Sequence, residues 1–282
     1  MKFLIMPNLY KKDALAVTKS VIAKLRAIGD EALMDSRYSD SFACSDVSFA
    51  PFAECAANCD MIIAVGGDGT VIHSAKHAVV QKKPILGVNA GRIGFISSIE
   101  PSELDCLDRI KTGEYYVQNR MLLDITVNGQ EEKKYLALND AVVSGGSLSR
   151  IIDFGVYDED GLILNYRADG VIFSTPTGST AYNLSAGGPV IQHDFDCIAV
   201  TPVCSHSIFA RTIITSPQTK LRFVPQSLQK KNVSLFLTVD GEEGIELSGD
   251  DEVTVGVSKE KAEFVTFSKK PFYERLKSKL QG

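Results

Sequence analysis

Apolar residues along positions 1–100 alternate between short unbroken runs and helical spacing. Residues 2–6 form an apolar run ended by Pro7 and Asn8, the pattern of a strand followed by a turn. Between 13 and 28, Ala14, Val17, Val21, Leu25 and Ile28 recur at spacings of three and four. That spacing predicts a helix with Asp13 at its N-cap and Gly29 as its stop. Residues 61–65 are apolar throughout, as a strand buried on both faces of a parallel sheet requires. Val71, Ile72, Ala75, Ala78 and Val79 then share one helix face, and 84–88 reads as a further buried strand. Alternation of this kind predicts right-handed β-α-β units on an open parallel sheet.

The rhythm changes after a helix-like segment at 102–111 that ends at Gly113. Strand patterns now follow one another with few helices between. Residues 121–127 and 134–143 flank Asn128 and Gly129, a hairpin signal. Residues 151–157 and 162–166 flank a second turn, Asp158 to Gly161, and strand patterns recur at 233–239, 252–257 and 263–267. An amphipathic helix is expected at 272–280. The fold class predicted is α/β plus mainly-β. An open, Rossmann-like α/β domain occupies 1–100, and a β-rich, sandwich-like domain occupies 101–267.

Bulk composition narrows the setting rather than the fold. The chain has 282 residues, 44% of them hydrophobic, enough to bury one large core or two ordinary ones. A net charge of -5 argues against a general nucleic-acid binder. The six cysteines form no CxxC pair and no Cys/His zinc spacing. No stretch approaches the roughly 20 apolar residues of a membrane span, and the N-terminal apolar run is too short for an export signal. These features predict a cytoplasmic protein with reduced cysteines and neither membrane nor nucleic-acid partners.

Candidate chemistry begins at the turn Gly66-Gly67-Asp68-Gly69-Thr70, set between a strand pattern and a helix pattern. That layout aims backbone N–H groups and a helix N-terminus at an anion. Glycine tolerates positive φ and allows close approach of a ligand. The turn contains no P-loop lysine and is not GxGxxG. Asp68 inside it has three readings: a base or aligner for an attacking hydroxyl, an indirect Mg2+ partner, or a turn residue bonded to its own backbone. A second cluster, "STPTGSTAYNLSAGGP" at 174–189, gathers small hydroxyl and glycine residues behind a strand pattern at 171–173. Small donors of this kind can wrap ribose and phosphate oxygens without importing charge, although such runs are also common in plain loops.

Together these motifs resemble the NAD kinase family. The resemblance rests on "GGDGT" at 66–70, "GVNAGRIGFI" at 87–96, "LND" at 138–140, "RADGVIFSTPTGSTAYNLSAGGPVI" at 167–191 and "VTPVCSHSI" at 200–208, in the family's order. GGDGT alone is shared with diacylglycerol and sphingosine kinases, whereas the TPTGSTAY run is specific. The resemblance implies phosphoryl transfer from ATP or polyphosphate to the 2′-hydroxyl of the adenosine ribose of NAD, making NADP. It further implies a divalent cation such as Mg2+, homodimers or homotetramers, and a C-terminal tail (268–282) packed back on the first domain. Carried over residue by residue, Asp68 matches the catalytic aspartate. Gly66, Gly67, Gly69 and Thr70 match the phosphate turn, and His73 a position near phosphates. Asn139 and Asp140 match the nucleotide-holding pair, Arg150 a contacting basic residue, and Arg167 and Asp169 a charged pair facing the ligand. Thr180, Ala181, Tyr182, Asn183, Leu184 and Ser185 match the adenine and ribose wall. Glu242 stands where some members have Gln, and Cys204-Ser205-His206 replaces a more usual Pro-His. No direct protein ligand to the metal is implied.

Two rivals carry distinct signatures. A lipid kinase would present a membrane-directed apolar or basic surface, and none is visible in the sequence. A non-catalytic nucleotide sensor would gain nothing from Asp68 beside phosphates.

Overall fold

The structure is a computed structural model and describes residues 1–43, 46–91, 94–128, 133–146, 151–207, 210–226, 234–248, 251–269 and 271–280. The chain divides into two compact units: Met1–Asn119 with Ala262–Gly282, and Arg120–Lys261.

In the first unit, β1 (Lys2–Pro7), α1 (Ala14–Ala27), β2 (Glu31–Asp35), β3 (Val47–Ala50), α2 (Phe52–Asn58), β4 (Met61–Gly66), α3 (Asp68–Gln81) and β5 (Ile85–Asn89) follow in sequence. The strands pair in parallel in the order β5-β4-β1-β2-β3. Every residue of β4 and β5 is buried, as their unbroken apolar runs require. Helix α1 turns Ala14, Val17, Val21, Ile22 and Leu25 inward and stops before Gly29, which takes φ +73. Asp13 stands at the N-cap without a side-chain bond, so capping there is positional only.

The 102–111 segment is a 3-10 turn, Pro101–Leu107, running into α4 (Asp108–Lys111). Leu107 and Ile110 join the core of the first unit, so the units divide at Asn119 rather than at the sequence boundary of 100.

The second unit is a sandwich. It contains part of β6 (Tyr116–Asn128), then β7 (Lys133–Ala137), β8 (Asp140–Gly145), β9 (Ile152–Tyr157), β10 (Leu162–Ala168), β11 (Gly170–Ser174), α5 (Tyr182–Ser185), β12 (Ile198–Val203), β13 (Ile213–Thr215), β14 (Leu221–Gln226), β15 (Leu235–Val239), β16 (Ile245–Leu247) and the first part of β17 (Glu252–Thr266). One sheet runs β13-β12-β11-β8-β15-β16, antiparallel throughout. The other brings together β10, β9, β14 and β17, with β7 paired antiparallel to β6. Val143, Val171, Phe173 and Leu237 of the first meet Phe154, Val156, Phe223 and Val255 of the second in one core.

The single strand expected at 134–143 is two strands in different sheets, broken at Leu138 and Asn139. The patterns at 252–257 and 263–267 are one strand, β17. Its middle, Lys259 to Lys261, is polar because it is exposed, not because the strand stops. The end of β17 returns to the first unit, where Phe264 pairs with Ile85. Helix α6 (Pro271–Leu280) follows within that unit, tied by Arg275 to Glu100 and to the Ser98 carbonyl.

Candidate functional site

Gly66 closes β4, Gly67 is the N-cap of α3, and Asp68 is that helix's first residue. An acid in the first turn is favoured by the helix dipole. The glycines of this turn are not used for positive φ: Gly67 has φ -93, and none of Gly66, Gly67 and Gly69 takes positive φ. What requires glycine at 66 is close approach, because a Cβ there would overlap the Thr70 side chain. At Gly67 and Gly69 a Cβ would meet nothing within 4 Å, so that face of the backbone stays open.

The Asp68 carboxylate does not bond within its own turn. It accepts N–H bonds from Phe95 (2.8 Å) and Ile96 (3.2 Å) on the segment after β5. A side chain at Gly94 would overlap this carboxylate. The "GVNAGRIGFI" motif thus grips Asp68; its Arg92 and Ile93 lie outside the described residues.

Beside the turn lies a cavity of about 610 Å3 at the carboxyl ends of β1 and β2, where open α/β sheets bind ligands. It is lined by Asn8, Tyr10, Arg37, Tyr38, Thr70 and His73, among others. Asn8 donates to the Thr70 hydroxyl at 3.1 Å, and the Arg37 guanidinium lies 4.8 Å from the Tyr38 ring centroid. His73 is exposed and packs edge-on against His77, ring centroids 5.0 Å apart.

In the second unit, the Leu138-Asn139-Asp140 turn is held from two sides. The Asp240 carboxylate accepts N–H bonds from Leu138 (3.0 Å), Asn139 (2.7 Å) and Asp140 (3.2 Å). From the TPTG segment, the Thr175 N–H donates to the Asn139 carbonyl (2.8 Å) and its hydroxyl to the Leu138 carbonyl (2.6 Å). Asn139 is 7% exposed, yet its Oδ1 has no hydrogen-bond partner among the described residues. A buried acceptor left open beside two motifs of this kind is an invitation to a ligand donor.

Asp140 is buried. Burial first, and the charge of Asp240 second, push its carboxyl up to about 7. Between the ordinary carboxylate range and pH 7, the folded chain therefore holds a proton that the unfolded chain has lost. Stability falls as pH rises through that window and levels above it. Asp140→Asn is expected to abolish this fall, leaving the variant's melting temperature above the parent's at pH 8. Melting curves at intervals from pH 4 to 8 check it.

Tyr182, half-exposed at the start of α5, has its hydroxyl pushed up by burial first, then by Cys204, Asp140 and Asp169. These four side chains therefore share one electrostatic neighbourhood. Asp169 lies between β10 and β11, with its N–H on the Val203 carbonyl. Arg167 reaches Asp153 at 3.9 Å, and its carbonyl accepts the His206 N–H at 2.9 Å. The Cys204-Ser205-His206 turn, opaque in sequence, is thus anchored on β10, with Cys204 at φ 48. Within 180–185, Asn183 turns inward. Its amide donates to the Pro189 carbonyl and accepts from the Thr201 hydroxyl at 2.6 Å, whereas Tyr182, Leu184 and Ser185 are exposed. Glu242 is exposed one residue past the Asp240-Gly241 turn, and Arg150 lies outside the described residues.

Sequence reasoning missed Asp240. Its only local signal was Asp-Gly, which reads as a turn; its carboxylate serves residues about a hundred positions earlier.

The chain matches the model of the ATP-NAD kinase N-terminal domain over residues 14–115 and that of the ATP-NAD kinase C-terminal domain over 138–267. It belongs to the ATP-NAD kinase family. Curated relatives agree. The NAD kinase of Carboxydothermus hydrogenoformans is 35% identical over 277 residues, 97% of each chain. That of Clostridium perfringens is 40% identical over 223 residues, 78% of this chain and 80% of the relative. Among solved structures, yeast NADH kinase complexed with NADH superposes with a TM-score of 0.88 at 21% identity, covering 100% of this chain and 87% of that one. An Archaeoglobus fulgidus NAD kinase in complex with ATP gives 0.74 at 23%, covering 99% of both. At that identity the two structures speak for the fold: an α/β unit followed by a β-rich one.

Proposed function

We infer that the protein is an NAD kinase that moves the γ-phosphoryl group of ATP to the 2′-hydroxyl of the adenosine ribose of NAD, yielding NADP and ADP. The observation that carries this reading is the match of both units to a single kinase family, with Asp68 present at the head of α3 and its carboxylate gripped in place. Inorganic polyphosphate is the alternative donor.

Phosphoryl transfer needs positioning and charge neutralisation more than covalent chemistry from the protein. Asp68 accepts or aligns the proton of the attacking hydroxyl. The first turn of α3 has N–H groups without intrahelical acceptors to offer the phosphates, and the open faces of Gly67 and Gly69 admit them. The cavity beside Thr70 and His73 suits the rest of the donor. Asn139, through its open Oδ1, and Asp140, Arg167, Asp169, Tyr182 and Ser185 take the acceptor, NAD.

The residues fit a divalent cation delivered by the nucleotide. Its place would be beside the phosphates, at the open turn that Asp68 heads. Such a cation neutralises charge on the phosphates. A homo-oligomer in the cytoplasm completes the reading; among the described residues no helix is long and apolar enough to cross a membrane.

The test is an end-point NADP assay with NAD and Mg2+, run in parallel with ATP and polyphosphate. NADP from either donor is the expected result. Binding of NAD without NADP from any donor overturns the kinase reading in favour of a nucleotide sensor, and phosphorylation of diacylglycerol in place of NAD points to a lipid kinase.

A further inference from the structure

The C-terminal helix ends a short chain of contacts that begins at Asp68. The segment after β5 returns on that strand: Ser98 and Ile99 donate N–H bonds to the Gly87 carbonyl at 2.8 and 3.1 Å, and Ile99 bridges Val88. Its N–H groups at Phe95 and Ile96 hold the Asp68 carboxylate. Its far end is fixed by α6. One guanidinium nitrogen of Arg275 donates to the Ser98 carbonyl (3.0 Å) and another to a Glu100 carboxylate oxygen (3.3 Å). The other Glu100 oxygen accepts from the Asn89 amide at 2.8 Å, and Asn89, 0% exposed, is the last residue of β5. The Ser98 hydroxyl in turn donates to the Val265 carbonyl at 2.6 Å, near the end of β17. Only two peptide units, at most about 7 Å of chain, separate Ile96 from Ser98. A shift at Arg275's end of so short a limb is felt at the Asp68 end.

We propose that Arg275 is a positioning residue for Asp68, acting through the returning limb at 95–100. This rests on the catalytic role given to Asp68 above. A planar fork that satisfies a carbonyl and a carboxylate together suits arginine and not lysine. Without it, Glu100 is held, among the described residues, by Asn89 and its own capping box.

The experiment is a double-mutant cycle of Arg275→Ala with Asp68→Asn, with kcat and KM for NAD measured in each variant. Because small displacements of a reacting group are costly, Arg275→Ala is expected to lower kcat about ten- to a hundredfold, with KM within twofold. In the Asp68→Asn background the same change is expected to cost less than twofold, because its route of action is gone. A second readout does not depend on activity. Hydrogen exchange at the Phe95 and Ile96 amides should quicken in Arg275→Ala, while β4 amides stay protected. Arg275→Lys, which keeps the charge but not the fork, should fall between the two and serves if the alanine variant folds poorly. An equal loss of kcat in both Asp68 backgrounds, or unchanged exchange at 95 and 96, overturns the proposal. Full turnover by Asp68→Asn alone overturns instead the catalytic role of Asp68, and the exchange measurement still reads the mechanical link.

Discussion

Changing Asp68 to Asn is expected to lower turnover by about 10²- to 10⁴-fold while NAD still binds. The size of the effect follows from what the carboxylate does in each state. Before reaction it accepts the Phe95 and Ile96 N–H groups from the first turn of α3. Both bonds orient the side chain as an acceptor before the hydroxyl arrives. Asparagine keeps the shape and one neutral acceptor, but it cannot take a proton, and its NH2 faces a backbone donor. A stability loss of about 1.5–3 kcal/mol should accompany the change, the worth of a hydrogen bond to a charged group. Calorimetric NAD binding, melting temperature and single-turnover NADP formation separate the effects. Normal turnover with a lowered melting temperature would reduce Asp68 to a clamp for the 94–96 segment.

Asp240→Ala should produce the second large effect, on binding rather than on chemistry. The alanine leaves the N–H groups of Leu138, Asn139 and Asp140 without their acceptor. It also places a Cβ without side-chain hydrogen bonding at φ 52, a conformation that asparagine and aspartate tolerate better. Each buried donor so orphaned costs about 1–3 kcal/mol, and a total of about 3 kcal/mol or more is expected in urea unfolding. KM for NAD should rise at least about tenfold, about 1.4 kcal/mol, because Asn139 and Asp140 lose their fixed turn. Asp240→Asn retains the backbone preference and should be milder. Because the Asp240 charge helps raise the Asp140 carboxyl, Asp240→Asn should also move the pH-dependent fall in stability to lower pH. An unchanged KM in Asp240→Ala would mean that the 138–140 turn is held by Thr175 alone.

Much of the architecture was legible because it depends on local pattern. The buried runs of β4 and β5 need apolar residues on both faces, and α1 needs a stripe. The failures were also physical. Residues 134–143 read as one strand pattern, and the short polar pair Asn139-Asp140 is the local mark of the break. The break is made by a carboxylate at 240 and a hydroxyl at 175. The exposed charges at 259–261 interrupted a pattern that the backbone of β17 does not interrupt. At the site, the letters GGDGT offered two uses for glycine, positive φ and close approach; Gly66, Gly67 and Gly69 take no positive φ, and the structure uses close approach at Gly66 and open backbone at Gly67 and Gly69.

The sequence by itself determined the order of α/β and β-rich halves, the strand-turn-helix that carries Asp68, and the motifs that mark an NAD kinase. Each is a property of neighbouring residues: hydrophobic period, glycine content, and a fixed spacing of polar groups. Tertiary structure alone decided how those groups are held. Asp68 is oriented by N–H groups 27 and 28 residues away, Asn139 and Asp140 by a carboxylate 101 and 100 residues away, and the 98–100 limb by an arginine 175 residues from Glu100. Hydrogen bonds of that span leave no periodicity in the chain. They exist only once burial has brought the segments together, and their orientation then follows from the packing of the core rather than from any local preference.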